Sequence, residues 1–405
     1  MKKSILLFTA IIALNISLFS IRSFAQWNQT LLDSGSVNCF VISGGNIFAG
    51  AGTFNDGAIY LSSDNGSTWI SKSNGLPSTN NVVTAMIVKG DTLFAATENG
   101  VYISTNNGGL WTLSNTGLTD SGSPIIVESF MISENKIYAG TSGYGVYVTS
   151  NNGLLWTALN TGIAIESIEA LIMKGDTIFA GAAKDGIFMS TDYGNSWDSV
   201  NTGLTNRWIN AFIISGNKIF AGANGLNGSV FVSTNDGASW SDAGGLTNYT
   251  VNGFVMSGSK IFAASDGGSV FMTSNNGNNW DTLNSRTDNP FMQYVRAIAI
   301  SGPNIIAGTF GTGIYIMPLA GAGLQVINSE ESNMKVYPNP ALNNLTIETP
   351  QSAVIEILNL QGQLINTFKA NNDKTSIDVS TFPCGVYEVV VKTEKGIEVC
   401  KFVKE

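Results

Sequence analysis

The stretch SSDNGSTW at residues 62–69 decides the fold, because close variants of it recur along the chain. The five further copies are STNNGGLW (104–111), TSNNGLLW (149–156), STDYGNSW (190–197), STNDGASW (233–240) and TSNNGNNW (273–280). Successive closing tryptophans are 42, 45, 41, 43 and 40 residues apart. A self-similar period of about 40 residues is typical of propellers and solenoids.

Each repeat divides into four short runs of strand-forming residues. In the second repeat these runs are residues 82–88, 92–96, 101–104 and 111–114, rich in Ile, Val, Phe and Tyr and bounded by Gly, Asn and Asp. Four strands per unit of about 40 residues favour the blade of a β-propeller. First strands are expected to begin near Val37, Val82, Val127, Ile168, Ile209, Val251 and Val295. The sequence therefore predicts an all-β, seven-bladed β-propeller, with six or eight blades as the alternatives.

The two ends of the repeat region complement each other. The seventh unit stops at Pro318 without a tryptophan motif, whereas residues 27–32 match the segment that follows the motif elsewhere. We therefore expect residues 27–32 to supply the fourth strand of the last blade and close the ring, which leaves neither terminus as an open edge.

The pattern Ser/Thr-Ser/Thr-Asp/Asn-x-Gly-x-x-Trp resembles the Asp-box, or bacterial neuraminidase repeat, of sialidases, xyloglucanases, sortilin and photosystem assembly propellers. The resemblance covers about residues 27–318 and implies that the motif lies on the face opposite the ligand site. In such a turn Asp or Asn accepts backbone hydrogen bonds, Gly takes a positive φ, and Trp buries its ring against the hairpin. The residues assigned to this structural role are Asp64, Trp69, Asn106, Trp111, Asn151, Trp156, Asp192, Trp197, Asn235, Trp240, Asn275 and Trp280.

A catalytic or calcium-binding role for Asp64 and Asp192 is the alternative. Four of the six copies carry Asn at this position, and Asn keeps the hydrogen bonds of the turn but lacks the charge that catalysis or metal binding needs. The substitution pattern therefore favours a structural role.

Composition excludes several classes of function. The chain has a net charge of −9, charged residues make up only 12%, and no run of Lys or Arg occurs, so no nucleic-acid partner is expected. Histidine is absent, which removes Ser-His-Asp and Cys-His catalysis and imidazole metal sites. Cys39, Cys384 and Cys400 are too scattered for a zinc site. We therefore expect no metal and no cofactor.

The N-terminus reads as a secretory signal peptide over residues 1–25. Lys2 and Lys3 precede an apolar stretch at residues 4–20, and Ser23-Phe24-Ala25 before Gln26 is a small-x-small cleavage pattern. An uncleaved membrane anchor is the alternative. No later segment has 18 consecutive apolar residues, so no membrane span is expected in the mature chain.

Alignment of the seven first strands places one polar residue near the start of each, and this ring should surround the mouth of a central channel. Its members are Asn38, Thr84, Glu128, Glu169, Asn210, Asn252 and Arg296. Further polar and aromatic candidates nearby are Arg207, Trp208, Tyr249, Arg286 and Tyr294. Aromatic faces beside Asn, Glu and Arg suit a sugar or peptide ligand, whereas a mouth filled only with water is the alternative.

Catalysis is the second hypothesis for this mouth. Glu128 and Glu169 fall on adjacent blades and could form the carboxylate pair of a glycoside hydrolase. The resemblance to sialidases fails at their arginine triad, because Arg207, Arg286 and Arg296 all come late and the early Arg-Ile-Pro signature is missing. Xyloglucanases of this group use a cleft between two propellers, and this sequence holds repeats for one. A binding module without catalysis is therefore the leading interpretation.

The repeat stops after Pro318. Residues 319–333 read as a linker, and residues 334–405 as a small antiparallel β-sandwich with strands at 345–348, 353–358, 376–379, 387–392 and 398–403. In a hairpin turning near residues 394–396, Cys400 would lie opposite one of residues 389–391 rather than Cys384, which favours two free thiols.

Four motifs in this tail resemble the type A C-terminal sorting domain of type IX secretion cargo. They are Val336-Tyr337-Pro338-Asn339-Pro340, the run ILNLQG at residues 357–362 with Leu364, Phe382-Pro383-Cys384-Gly385-Val386-Tyr387, and Lys401-Phe402-Val403-Lys404. The resemblance implies export through the inner membrane and then through the type IX machinery of a Bacteroidetes-type bacterium, with release or attachment at the surface. An ordinary adhesive domain is the alternative.

Overall fold

A computed structural model describes residues 27–30, 35–53, 56–79, 81–163, 166–225, 229–244, 246, 248–267, 269–283, 292, 294–319, 335–348, 353–359, 364–370, 372–383, 385–393 and 396–405. The signal peptide predicted at residues 1–25 lies outside these ranges. Within them, no helix has the length and apolar character needed to cross a membrane.

Residues 28–318, as far as they are described, form seven four-stranded antiparallel sheets and one small hairpin. After β1 (Asn28–Gln29), the first sheet comprises β2 (Val37–Ser43), β3 (Asn46–Thr53), β4 (Asp56–Ser62) and β5 (Ile70–Ser71), and the second comprises β6 (Val83–Lys89), β7 (Thr92–Thr97), β8 (Gly100–Ser104) and β9 (Thr112–Leu113). The hairpin is β10 (Thr119–Asp120) with β11 (Ser123–Pro124). The third sheet comprises β12 (Val127–Ser133), β13 (Lys136–Thr141), β14 (Gly145–Thr149) and β15 (Thr157–Ala158).

The remaining four sheets repeat the same order. The fourth comprises β16 (Ile168–Lys174), β17 (Thr177–Ala182), β18 (Ile187–Ser190) and β19 (Asp198–Ser199), and the fifth β20 (Ile209–Ser215), β21 (Lys218–Ala223), β22 (Val230–Ser233) and β23 (Ser241–Asp242). The sixth comprises β24 (Thr250–Ser257), β25 (Lys260–Asp266), β26 (Ser269–Thr273) and β27 (Asp281–Thr282). The seventh contains β28 (Val295–Ser301), β29 (Asn304–Thr309) and β30 (Ile314–Pro318).

The seventh sheet is completed by the other end of the chain. β1 pairs antiparallel with β30, with Asn28 opposite Ile316, and the Thr30 amide donates to the Ile314 carbonyl at 2.9 Å. This confirms the pairing expected for residues 27–32, over the part of that segment that is described. Leu319, which the sequence placed in the linker, is buried and donates its amide to the Pro303 carbonyl.

The seven sheets close into a ring through their first strands. β2 contacts β6, which contacts β12, and the series continues through β16, β20, β24 and β28 back to β2. Each interface buries its own apolar cluster, as Phe48 and Ile59 of the first sheet do with Trp111 of the second. The last interface joins Val37 to Ile306 of the seventh sheet. Apolar area removed from water at every interface is the main stabilising contribution.

The second strand of each sheet is its most buried element. In β17 (TIFAGA) and β21 (KIFAGA) every residue after the first is buried. A strand covered on both faces requires a continuous apolar run rather than an alternating one. Its small residues allow the neighbouring sheet to approach, since a Cβ on Gly181 or Gly222 would lie 2.7 Å from a side-chain atom of the next sheet.

Residues 335–405 fold as two sheets around one shared core, as expected for a small sandwich. One sheet orders β31 (Lys335–Tyr337), β32 (Asn344–Glu348) and β35 (Lys374–Asp378), and the other orders β34 (Leu364–Ala370), β33 (Ala353–Asn359), β36 (Gly385–Thr393) and β37 (Gly396–Lys404). The core includes Leu345 and Ile347 from the first sheet and Ile355, Val389 and Phe402 from the second.

Two details of this tail differ from or bear on the sequence analysis. β31 and β34 were not among the predicted strands. β36 pairs with β37 so that Cys400 lies opposite Val389, which confirms the predicted hairpin register. Cys384 lies outside the described residues, so the absence of a disulfide stays a prediction.

Candidate functional site

The six tryptophan motifs form one hydrogen-bonded turn between the third and fourth strands. In the first copy Asp64 Oδ1 accepts from the Ser62 hydroxyl at 2.7 Å and from the Thr68 amide at 2.9 Å, and Oδ2 accepts from the Thr68 hydroxyl at 2.6 Å. Asn106 Oδ1 accepts the matching bonds from Ser104 and Leu110 at 2.9 Å each. The other four copies make the same two bonds.

The backbone of these turns explains their invariant glycine. Gly66 has φ 90° and Gly108 φ 75°, a region that an L-residue enters only with strain. The residue before each Gly, such as Asn65 at φ 56°, is also left-handed. Hydrogen bonds lower the pKa of Asp64 and of Asp192 to about 2, from Thr68 and Ser196 first. Both carboxylates have their oxygens engaged within the turn, which agrees with a structural role.

Four of the six motif tryptophans form a hydrogen bond with the sheet before their own. Trp111 Nε1 donates to the Lys72 carbonyl of the first sheet at 2.7 Å. Trp156, Trp197 and Trp240 donate in the same way to Ser114, Leu159 and Val200, at 3.1, 2.8 and 2.9 Å. The sequence predicted that each ring packs against its own hairpin. In these four cases the indole N–H also reaches the neighbouring sheet, whereas the Trp69 N–H donates to the Gly66 carbonyl of its own turn at 3.1 Å.

A second repeated element receives these tryptophans. The turn after the fourth strand reads Asn115-Thr116-Gly117, Asn160-Thr161-Gly162 and Asn201-Thr202-Gly203 in three sheets. The Trp156 amide donates to the Thr116 carbonyl at 2.9 Å. A Cβ added to Gly117 would lie 2.1 Å from the Trp156 carbonyl oxygen, so only glycine fits there. This periodic Asn-Thr-Gly signal was visible in the sequence and was missed.

The candidate ligand site is a central cavity of ≈ 630 Å³ at the start of the first strands. In each of the seven sheets the pairing between first and second strand shifts at one residue near that start. The shifted positions are Asn38, Thr84, Glu128, Glu169, Asn210, Asn252 and Arg296, and all seven line the cavity. A β-bulge re-aims a side chain, so the bulges explain how seven strands present one polar residue each to a common space.

Three of the bulge residues also tie neighbouring sheets together. Asn38 Nδ2 donates to the Val83 carbonyl at 3.0 Å, Thr84 Oγ1 to the Val127 carbonyl at 2.5 Å, and Asn252 Nδ2 to the Val295 carbonyl at 2.9 Å. Glu128 and Glu169 occupy the equivalent bulge positions, but an ionised carboxylate cannot make this bond because it has no hydrogen to donate. In the third sheet Ser129 donates to the Ile168 carbonyl instead, at 3.2 Å.

Two adjacent glutamates make one side of the cavity acidic. Burial first, and then the nearby charge of Glu128, raise the pKa of Glu169 to about 7. Burial also raises the pKa of Glu128; a hydrogen bond from Ser142 opposes this, and the charge of Glu98 adds to it. Protonation of one of the two carboxyls near neutral pH follows from their burial and mutual repulsion.

The seventh sheet supplies the basic group of the cavity. Arg296 Nε lies 3.7 Å from Asp266 Oδ2, and its guanidinium stands 5.0 Å from the centre of the Phe310 ring. Burial raises the pKa of Asp266, although Arg296 and a hydrogen bond from Asn252 oppose it. Among the described lining residues, one arginine therefore stands against four carboxyl groups, those of Glu98, Glu128, Glu169 and Asp266.

The twelve predicted ligand-site residues fall into four groups. The seven bulge residues and Trp208, whose ring is 40% exposed, line the cavity. Arg207 and Tyr294 are exposed but do not line it. Tyr249 was predicted as a ligand-site residue, but its ring lies 4.9 Å from that of Phe271 and packs against the core between the fifth and sixth sheets. Arg286 lies outside the described residues.

Several lining residues were not predicted as site residues. They come from the ends of second strands and the loops beyond them, and include Glu98, Asn224, Asp266 and Phe310, with Thr250 from β24. Nothing in the repeat showed that these positions reach the centre. Among the described residues, no group of three or more His, Cys, Asp or Glu side chains is placed to hold a metal ion.

Comparison with known proteins identifies the tail of the chain. Residues 335–405 match the family model described as the secretion system C-terminal sorting domain. The chain is therefore exported by type IX secretion, to the cell surface or beyond it. A search of curated protein sequences found no match.

Solved structures similar to this chain are β-propellers and support that fold. PorZ of Porphyromonas gingivalis, a surface component of the type IX secretion system, is 14% identical with a TM-score of 0.57, over 90% of this chain and 59% of PorZ. The GH74 xyloglucanase of Xanthomonas campestris is 13% identical with a TM-score of 0.57, over 81% of this chain and 60% of the enzyme. YCF48 from Cyanidioschyzon merolae is 16% identical with a TM-score of 0.53, over 72% of this chain and 98% of YCF48. The chain thus spans under two thirds of the first and second of these proteins.

Proposed function

We propose that this protein is a secreted or surface-exposed, seven-bladed β-propeller of the Asp-box type that binds a ligand in its central cavity without catalysis. The proposed organisation is a signal peptide at residues 1–25, the propeller at 26–318, a linker at 319–333 and the sorting domain at 334–405. Seven four-stranded sheets in a closed contact series support the blade number.

One observation carries the binding proposal. Seven bulges in equivalent positions direct seven side chains of differing chemistry into one cavity, while the turns at the other end of the sheets repeat the same bonds. Loops and strand ends on a rigid scaffold are where propellers vary their function. Trp208 and Phe310 offer flat apolar faces beside Asn, Glu and Arg, which suits a sugar or a peptide.

The ligand class is tested by screening the full mature chain against glycan and peptide arrays. A similar propeller, YCF48, has been described bound to the D1 peptide, which is a reason to include peptides. We expect the affinity for any ligand found on the arrays to fall at least tenfold in Trp208→Ala. The control is Leu154→Ala, which replaces an exposed leucine of the third tryptophan motif and should leave the affinity unchanged. Equal loss in both variants, or no loss in Trp208→Ala, would remove the cavity as the binding site.

Glycoside hydrolysis is the second candidate function. Glu128 and Glu169 lie on neighbouring bulges, and the pKa of Glu169 at about 7 is that of a carboxyl able to act as a general acid near neutral pH. Fluorogenic glycosides distinguish the two proposals. Turnover by the native chain that is abolished in Glu128→Gln or Glu169→Gln would overturn the non-catalytic proposal, and binding without turnover would support it.

The proposed partner of the C-terminal domain is the type IX secretion machinery. Deletion of residues 334–405 should leave the propeller in the periplasm, as measured by fractionation and surface proteolysis. Surface delivery of the truncated chain at the native level would contradict this role.

A further inference from the structure

The polar groups of the central cavity are satisfied on one side and not on the other. On the side formed by the sixth and seventh sheets, Asn252 donates to Asp266 and to the Val295 carbonyl, each at 2.9 Å. Arg296 lies 3.7 Å from Asp266, and its guanidinium stands 5.0 Å from the centre of the Phe310 ring. The one positive charge among the described lining residues is therefore already paired within the protein.

Three glutamates line the cavity from the second, third and fourth sheets. They are Glu98, Glu128 and Glu169, and we call them the acidic arc. Glu128 is hydrogen-bonded to Ser142, whereas Glu169 makes no side-chain hydrogen bond to a described residue. The charges that act on Glu128 and Glu169 are those of other glutamates. Within the described part of the cavity wall, the acidic arc therefore has no counter-ion.

An exposed aromatic ring stands at the end of the acidic arc. Trp208 directly precedes β20, lines the cavity and is 40% exposed. The carbonyl of Arg207 accepts from the Gly186 amide of the fourth sheet at 2.8 Å, and that of Trp208 accepts from the Asn224 amide of the fifth at 3.0 Å. These two bonds place Trp208 where the fourth and fifth sheets meet, on the same side of the cavity as Glu169.

The amide of Asn210, at the bulge of the fifth sheet, is also available to a ligand. Asn38 and Asn252 occupy the equivalent position in their sheets, and each donates to a carbonyl of the next sheet. Asn210 makes no such bond with a described residue, so its side chain keeps both donors and an acceptor. Carboxylates, an aromatic face and a free amide are the groups that bind a cationic side chain and the peptide backbone that carries it.

We propose that the central cavity binds a peptide segment through one lysine or arginine side chain, whose positive charge lies against the acidic arc and the ring of Trp208. This inference rests on the proposed binding function and names its ligand. A cationic side chain supplies the counter-ion that the glutamates lack, whereas a neutral sugar would leave their charges uncompensated. The amide of Asn210 pairs with a peptide group next to the basic residue.

The test measures binding of short peptide libraries to the full mature chain by fluorescence anisotropy. The probes are fluorescein-Gly-X-Lys-X-Gly-amide and fluorescein-Gly-X-Arg-X-Gly-amide, in which X is varied over the uncharged amino acids. The matched control has norleucine at the central position, which keeps the aliphatic chain of lysine and removes its charge. We expect saturable binding of at least one basic library and at least tenfold weaker binding of the norleucine library.

Two charge-matched variants locate the binding. Glu169→Gln removes one charge from the acidic arc and should weaken binding of the basic library at least tenfold. Glu134→Gln removes one charge at an exposed turn and should leave the affinity unchanged.

The pH dependence gives an independent readout. The affinity of the native chain should fall about tenfold between pH 8 and pH 5.5, because the pKa of Glu169 is about 7 and its protonation removes the charge that attracts the ligand. Glu169→Gln should reduce this dependence. The other charged or titratable groups that face the cavity are Glu98, Glu128, Asp266 and Arg296.

Three outcomes would overturn the proposal. The first is equal affinity for the basic and norleucine libraries, and the second is equal affinity of the native chain and Glu169→Gln for a basic library. The third is a ligand that depends on Trp208 but carries no positive charge, which would leave the proposed binding function intact. Absence of binding to the libraries and to the glycan and peptide arrays alike would remove both proposals.

Discussion

The repeat is nearly uniform at one end of the sheets and variable at the other. At one end, six tryptophan motifs make the same hydrogen bonds with little change in residue type. At the other, seven bulges repeat a backbone shape while the side chain changes among Asn, Thr, Glu and Arg. The repeat keeps the hydrogen bonds of the turns constant and varies the side chains that face the central cavity. Four predictions test how far this division holds.

The largest effect is expected at the contact between a turn glycine and the next tryptophan. Gly117→Ala places a Cβ 2.1 Å from the Trp156 carbonyl at a φ of 88°, so steric overlap adds to left-handed strain. We expect a loss of about 2–5 kcal/mol in the free energy of unfolding. Gly143→Ala, at φ 79° with open space around it, should cost only about 1 kcal/mol. Thermal unfolding of both variants measures the difference, and equal losses would show that strain rather than packing sets the cost.

The second largest effect is expected between a tryptophan whose indole N–H is hydrogen-bonded and one whose indole N–H is not. Trp156→Phe removes the 3.1 Å bond to the Ser114 carbonyl, whereas Trp280→Phe has no bond to lose and relieves a buried donor. The difference between the two losses should be about 1–3 kcal/mol, with Trp156→Phe the less stable. Denaturant midpoints measured in parallel provide the comparison. The reverse order would mean that the indole hydrogen bonds do not stabilise the interfaces between neighbouring sheets.

A smaller effect is expected from the acidic side of the cavity. The folded-state pKa of Glu169, about 7, exceeds its ordinary value of 4.5, so the folded chain binds more protons between these values and its stability falls as pH rises through them. Glu169→Gln should therefore raise stability by about 1–2 kcal/mol at pH 8 and by little at pH 4.5. Glu134→Gln, at an exposed turn, is the control. A gain that is the same at both pH values would contradict a buried, shifted carboxyl.

The smallest effect is expected within the tryptophan motif. Asp64→Asn keeps the acceptor for the Thr68 amide, and Asn235 shows that a side-chain amide at this position can donate to the hydroxyl of the residue directly before the tryptophan, at 2.9 Å. We expect a change below about 0.5 kcal/mol at pH 7. The native chain should lose stability as pH falls from 4 towards 2, because the lowered pKa of Asp64 stabilises the fold only while the group is ionised. Unfolding midpoints at pH 7 and pH 2.5 test both statements, and an unchanged pH response in the variant would assign the acid sensitivity elsewhere.

Features that recur in every repeat could be predicted from the sequence, whereas features confined to one or two sheets could not. The repeat predicted where first strands begin to within one residue, and the ring of seven polar positions, because both recur with the tryptophan spacing. Tyr249 could not be assigned from sequence, since its packing on Phe271 depends on how two sheets meet. Glu98 and Asp266 reach the cavity from second-strand ends whose sequences share no pattern.

The pairing of β1 with β30 has a consequence for export. Asn28 lies opposite Ile316, so the ring contains contacts between nearly the first and the last residues of the propeller. Closing so long a loop is entropically costly, and the final sheet does not exist until both of its ends have crossed the inner membrane. The ring of sheets therefore cannot close while the chain is only partly translocated. The earliest moment at which the ring can close is after β30 has crossed, when the C-terminal tail is still to follow.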